Sequence, residues 1–216
     1  YEGKHVTRDI DKAIHYFQFA ANQNLPQAQH ELGFIYHEGK HVTLDIDKAI
    51  HYYTLAANQN FPQSQFNLGL IYYEGKHVTR DIDKAIHYFQ LAANQNYAQA
   101  QHELGFIYYE GKHVTRDIGK AIHYFQLAAN QNFPQAQFNL GRIYHENKYI
   151  EQDIDKSIHH YTLAANLNSS EAQFNLGFIY YEGKHVTRDI DKAIHYFQLA
   201  ANQNYAKAQY KLGFIY

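Results

Sequence analysis

The chain repeats itself every 36 residues, and its 216 residues hold six copies with nothing left over. A period of about 20–50 residues is the mark of a repeat array, in which each unit buries its apolar face only against its neighbours. The copies are 1–36, 37–72, 73–108, 109–144, 145–180 and 181–216. They are close to identical except for 145–180, which carries Asn147, Tyr149, Gln152, Ser157 and His160. Most positions are therefore set by the repeating unit, and the places where copies differ are the informative ones. The chain contains no Met. The expectation is one array that forms a segment of a longer protein.

Each unit reads as two helices. In 45–58, Ile46, Ala49, Ile50, Tyr53, Ala56 and Ala57 fall at helical spacing and make one apolar stripe. Asp45 is placed to cap this helix, and Asp47 puts negative charge in its first turn, where the helix dipole favours it. Asn60 stands where a left-handed residue ends a helix, and Pro62 suits the first turn of the next one. That next helix, 62–73, has Ser64, Leu68, Ile71 and Tyr72 on one face, with Gly69 among them as an invitation to close helix packing. Gly39 permits the loop turn between the two kinds of helix, and Val42 is expected to plug their junction. The fold class is all-α.

Charge and composition narrow the function classes. Lys plus Arg number 19 and Asp plus Glu 21, for a net charge of −2, so nothing draws the chain toward nucleic acid or an anionic membrane. No apolar run approaches the roughly 18 residues of a membrane span, and the first residues lack the layout of a signal peptide. The absence of Cys removes disulfides, thiolate metal sites and a Cys nucleophile, and leaves the compartment open.

The unit resembles the Sel1-like repeat, a relative of the tetratricopeptide repeat, whose pattern is A-x3-LG-x2-Y-x2-G-x-GV-x2-D-x2-KA-x2-WY-x2-AA-x2-G. Ala28, Leu32, Gly33, Tyr36, Gly39, Val42, Asp45, Lys48, Ala49, Tyr53, Ala56 and Ala57 meet it. Three positions depart. His41 replaces the second loop Gly, Tyr52 (His160 in one copy) replaces the Trp, and Asn60 replaces the final Gly. The resemblance implies a right-handed α–α superhelix, a solenoid of antiparallel helix pairs, and use as a scaffold or adaptor that holds other proteins. The pentatricopeptide repeat, at about 35 residues, is the nearest rival and would imply RNA. The LG-x2-Y and KA…AA residues and the charge balance favour the Sel1 pattern.

Several constellations have a chemical reading beside a plain one. His37-Glu38-Gly39-Lys40-His41 fits the zinc-protease signature H-E-x-x-H, which needs both His on one helical turn. Here Gly39 interrupts the run at a helix end, and other copies read YEGKH or HENKY, so a loop coincidence is the better account. His15, His51, His87, His123, His159 and His195 recur at one repeat position. Packed helices lie about 8–10 Å apart, too far for that ladder to share a metal. The Ser residues show no triad order. Asp9/Asp11 and their equivalents are helix caps before they are paired acids. Asn168-Ser169-Ser170 is a glycosylation sequon relevant only to a secreted chain. Loop residues of the Lys40, His41 and Arg80 type read as solvated.

The variable face of the first helix of each pair is the strongest functional signal. With Ala28, Leu32, Ile35 and Tyr36 turned inward, positions 27, 30, 31 and 34 turn to the concave side. Those positions hold Phe34, Phe66, Leu70, Phe106, Phe138, Arg142, Phe174, Phe178 and Tyr210. Clustered aromatics of this kind mark interaction surfaces. The expected function is a protein-interaction scaffold that takes a peptide or helix in the concave groove, with Phe34, Phe66, Phe106, Phe138, Phe174 and Phe178 as anchors and Asn and Gln neighbours as orienting groups. No catalysis, cofactor, metal, nucleic acid or membrane is expected. The alternative is a docking arm for an enzyme or signalling protein whose catalytic domain lies outside the segment. Metal analysis of the purified chain is expected to show no stoichiometric zinc; one zinc per chain, lost on His37→Ala, would overturn the loop reading of H-E-x-x-H.

Overall fold

A computed structural model describes residues 9–40, 42–146 and 148–216. Those residues form helices and connections, with no strand among them. The helices are α1 Ile10–Asn22, α2 Pro26–Glu38, α3 Ile46–Ala57, α4 Pro62–Glu74, α5 Ile82–Ala93, α6 Ala98–Glu110, α7 Ile118–Ala129, α8 Pro134–His145, α9 Ile154–Asn166, α10 Ser170–Glu182, α11 Ile190–Asn202 and α12 Ala206–Ile215. The chain divides into two compact units, one ending at Ala100 and the other spanning Gln101–Tyr216. In the first, α2 packs on α1 and α3, and α4 on α3 and α5. In the second, the same succession runs from α7 through α12, with α10 also touching α8 of the preceding repeat.

The local signals act as their chemistry requires. Each odd-numbered helix opens on an Asp cap: Asp45, for example, accepts from the Lys48 amide at 3.0 Å, and Asp81, Asp117, Asp153 and Asp189 do the same for their own helices. The Lys ammonium returns to the cap carboxylate, 3.1 Å from Asp45, and these bonds hold that carboxyl below its ordinary value. The same Lys48 lies over the Tyr36 ring at 5.0 Å, and Tyr36 stacks on Tyr52 at 5.9 Å and 5°. Lys84–Tyr72–Tyr88 repeats this arrangement in the first unit, and Lys120–Tyr108–Tyr124 and Lys192–Tyr180–Tyr196 in the second. One lysine thus ties the helix start to the aromatic seam at the junction. Asn24, Asn60, Asn96, Asn132, Asn168 and Asn204 all take a left-handed conformation, with φ between 58° and 64°. Asn tolerates that region better than other side chains, which explains how the repeat closes its turn without the Gly of the Sel1 pattern.

The core is built around one close approach. A Cβ placed on Gly69 would come within 2.5 Å of the Phe89 ring. Phe89 is fully buried, and the equivalent pairs are Gly33–Tyr53, Gly105–Phe125, Gly141–Tyr161 and Gly177–Phe197. Tyr53, for example, packs with Ala49 and Ala57 of the stripe and with Leu68 of α4. Polar groups enter this core with partners. Gln29 donates to the Ala21 carbonyl at 3.3 Å and accepts from Gln59 at 2.8 Å. Gln65–Gln95 repeats the amide pair in the first unit, and Gln101–Gln131 and Gln173–Gln203 in the second. Ser157, an Ala in most copies, donates to the Gly141 carbonyl at 2.8 Å. Among the described residues, the enclosed Tyr53 hydroxyl, Gln63 Oε1 and Arg142 Nε make no hydrogen bond, although the Asn67 side chain stands beside the Tyr53 hydroxyl.

The divergent copy shows the same discipline. Leu167 stands where a Gln partner for Gln137 belongs, and His160 stands where a stacking Tyr belongs. The His160 ring stacks on Tyr144 and donates from Nδ1 to the Gln137 Oε1 at 2.8 Å, filling the missing bond. Burial pushes the His160 imidazole down to about 4, with His159 and Lys156 adding to the shift. The folded chain therefore keeps His160 neutral while the unfolded chain protonates it near 6.5. Its contribution to stability is complete above about pH 6.5 and declines as pH falls toward 4, by on the order of 3 kcal/mol if fully realised. His160→Tyr alone strands a buried acceptor and is expected to cost about 1–2 kcal/mol in denaturant unfolding at neutral pH. His160→Tyr also removes the imidazole and is expected to flatten the acid slope by itself, whereas Leu167→Gln added to it is expected to recover the loss at neutral pH; a single variant as stable as the double would overturn the pairing.

Candidate functional site

The face singled out by the sequence belongs to the even-numbered helices, whose entry is fixed by Pro26, Pro62 and Pro134 at their first turns. Ala28, Leu32 and their equivalents are buried, as the spacing requires. The remaining positions divide into two kinds.

The first kind, at the positions of His30 and Phe66, lies on the next helix. In the first unit, the His30 ring sits 5.5 Å from Tyr53 and 5.2 Å from Phe61, and Phe66 sits 5.7 Å from Phe89 and 5.3 Å from Tyr97. In the second unit, Phe138 lies 5.8 Å from Tyr161, and Phe174 lies 5.6 Å from Phe197 and 5.5 Å from Tyr205. These rings are half-buried and cover the ring that lies on the glycine. Tyr210 is 69% exposed and meets Phe214 edge to face at 4.9 Å.

The second kind, at the position of Phe34, is farther out. Phe34 is 45% exposed, and Leu70 is half-buried in the same unit. In the second unit, Phe106 stacks on His102 at 6.5 Å and Phe178 on Phe174 at 6.3 Å. Arg142 holds this position in α8, with its guanidinium 4.7 Å above the Tyr109 ring.

Polar groups stand among the rings. Asn139 donates to His102 Nε2 at 3.0 Å, and the other ring nitrogen lies 3.2 Å from Glu103. His30 shares a hydrogen bond with Ser64 Oγ at 2.9 Å, and burial pushes the His30 imidazole down, so it is neutral at pH 7. A Ser–His pair invites a catalytic reading, but Ser64 is fully buried and no substrate atom reaches it.

The other constellations settle into structural places. α2 ends at Glu38, and Gly39 turns left-handed with φ 62°, so His37 has no helical turn continuing beyond it; His41 lies outside the described residues. Among the described residues no three His, Asp or Glu side chains gather to hold a metal ion. No helix among them is long and apolar enough to cross a membrane. The ladder from His15 to His195 is exposed on the odd-numbered helices. The loop arginines cap helix ends, as when Arg116 donates to the Tyr109 and Glu110 carbonyls at 2.9 and 2.8 Å. A cleft of about 260 Å³ beside Pro134, Phe138 and Ser169 is small beside the roughly 300–1,000 Å³ of ordinary small-molecule sites.

One grouping escaped the sequence reading. In the loop of the divergent copy, Tyr149 meets Tyr109 edge to face at 6.5 Å. Arg116 lies over the Tyr149 ring at 4.5 Å and donates to its hydroxyl at 2.6 Å. Tyr109 donates to Glu146 at 2.9 Å. The signal was present in the odd residue Tyr149, but its contact with Arg116, from the preceding copy's loop, is a tertiary fact.

A family model described as the Sel1 repeat matches the chain at 1–25, 26–61, 62–97, 98–133, 134–169, 170–205 and 206–216. Among solved structures, the chain is similar to c5321, a protective antigen of uropathogenic Escherichia coli with an SLR fold. The TM-score is 0.89 and the identity 30%, over 97% of this chain and 45% of the antigen, so this chain spans less than half of that protein. It is also similar to a Sel1 repeat protein from Oxalobacter formigenes, with TM-score 0.81 and 30% identity over 96% of this chain and 90% of that one. An immunity protein of Pseudomonas aeruginosa, Pa5087, shares the fold at TM-score 0.55 and 20% identity, over 93% of this chain and 77% of that one. No curated protein matches the sequence.

The two kinds of position are expected to separate in unfolding experiments. Phe174→Ala uncovers Phe197 and is expected to cost about 2 kcal/mol or more, whereas Phe34→Ala stays within about 1 kcal/mol of the native chain. Equal losses at both would mean that Phe34 is packed as tightly as Phe174.

Proposed function

The chain belongs to the Sel1-repeat family, and on that premise we propose that it is a scaffold or adaptor whose even-numbered helices present a protein-binding face, a groove that takes a peptide or a helix. The observation that carries the reading is the second kind of position. Phe34 and Leu70 in one unit, and Phe106, Arg142 and Phe178 in the other, project beyond rings that already have packing partners. Side chains that lie outside the glycine–ring contact, at a position that is apolar in five copies and Arg in one, have surface to offer a partner. Aromatics and Arg supply much of the energy of protein interfaces, and neighbouring Asn and His groups can orient a bound backbone. Phe66, Phe138 and Phe174 contribute their outer edges to this face, and Tyr210 its exposed ring. The reading needs no cofactor, and it leaves room for a larger protein in which such an array docks a catalytic domain onto its target.

The test is affinity capture from the cell that makes the protein, with three baits of matched helical spectrum. The native chain is expected to retain a partner that Phe34→Glu/Phe106→Glu/Phe178→Glu loses and that His51→Glu/His87→Glu/His123→Glu, altered on the odd-numbered helices, keeps. Loss with the histidine variant and retention with the phenylalanine variant would move the site to the opposite face.

A further inference from the structure

At the position of Phe34, five copies carry an apolar residue (Phe34, Leu70, Phe106, Phe178 and Phe214), and one carries Arg142. A charge set into an apolar row needs a partner, and Arg142 has little. Its Nε is enclosed and makes no hydrogen bond. The nearest acid, Glu146, stands 4.0 Å away, beyond hydrogen-bond reach, and its other oxygen is taken by the Tyr109 hydroxyl. The guanidinium lies over the Tyr109 ring, 4.7 Å from its centre, and the side chain remains 30% exposed. Arg116 presents a contrast, since its guanidinium is committed to the Tyr109 and Glu110 carbonyls and the Tyr149 hydroxyl. Lys148 adds its ammonium 5.2 Å from the Tyr149 ring. Of these cations, Arg142 is the one that lies beside the Glu146 carboxylate, and it does so without a hydrogen bond.

We propose that Arg142 is the receptor for a carboxylate of the protein partner, an Asp or Glu side chain flanked by apolar residues. This rests on the reading of the even-numbered helices as a protein-binding face. A guanidinium offers a planar fork that matches a carboxylate with two parallel bonds. Phe106 and Phe178 hold the same register position in the adjoining copies, so an apolar residue on either side of the acid finds apolar company. That setting favours a peptide over a nucleic-acid backbone, which would call for a continuous basic track that 19 basic against 21 acidic residues do not provide. Glu146 competes with the incoming acid, which gives the proposal a sign that a structural role lacks.

The probe is a fluorescein-labelled peptide of about ten residues alternating Glu with Leu, set against its Gln/Leu counterpart, read by anisotropy at about 50 mM salt, where screening is weak. The native chain is expected to prefer the Glu peptide about tenfold. Arg142→Leu installs the residue of the second copy, which the fold already accepts, and is expected to erase the preference. Glu146→Gln is expected to raise affinity for the Glu peptide, and Phe106→Ser to weaken both peptides alike. A preference that survives Arg142→Leu, or no preference at all while Phe106→Ser still weakens binding, overturns the carboxylate and keeps the face. Failure of both peptides to bind, or indifference to Phe106→Ser, overturns the face itself. Tighter retention of a single-stranded RNA of equal charge than of the Glu peptide would replace the acidic protein segment with nucleic acid.

Discussion

The contact between a glycine of one helix and a buried aromatic ring of the next holds everything else in place. With hydrogen in place of a side chain, the Gly33, Gly69, Gly105, Gly141 and Gly177 backbones let Tyr53, Phe89, Phe125, Tyr161 and Phe197 lie directly on the helix. Because each ring belongs to the next repeat, no copy completes its own core. The same contact creates the candidate face. The ring on the glycine needs a lid, and His30, Phe66, Phe138 and Phe174 supply it. Only after this requirement is met are the residues at the Phe34 position released for other use.

This layering explains what the sequence could disclose. The repeat period, the Asp caps, the Asn turns and the glycine approach depend on local chemistry and on residues that recur, so all were legible. The candidate face was legible as a set of positions but not as a division of labour. Phe66 and Phe34 look alike on a helical wheel, and only the arrival of Phe89 and Tyr97 against Phe66 separates them. The cation and ring grouping around Tyr149 was not legible, because it joins two loops through side chains whose reach no spacing rule specifies.

The departures from the repeat are informative because they come with their compensation. Ser64 meets His30, Ser157 meets a carbonyl, and His160 replaces the bond that Leu167 cannot make. A buried polar group without a partner costs about 1–3 kcal/mol, so an unmatched change in the core would be felt at once. Arg142 differs in kind. It lies outside the core, its Nε is without an acceptor, and no second change on the chain answers it fully.

The glutamine pairs carry a consequence for how such an array can change length. Each pair joins residues thirty positions apart and so crosses from one copy into the next, as Gln29 with Gln59 does. Every copy offers the same Gln to its successor, and the unusual copy holds both His160 and Leu167 within its own 36 residues. Whole copies, the odd one included, can therefore be gained, lost or reordered by recombination in register without leaving one of these buried amides alone. The bond that fastens neighbours together is also the one that makes them interchangeable.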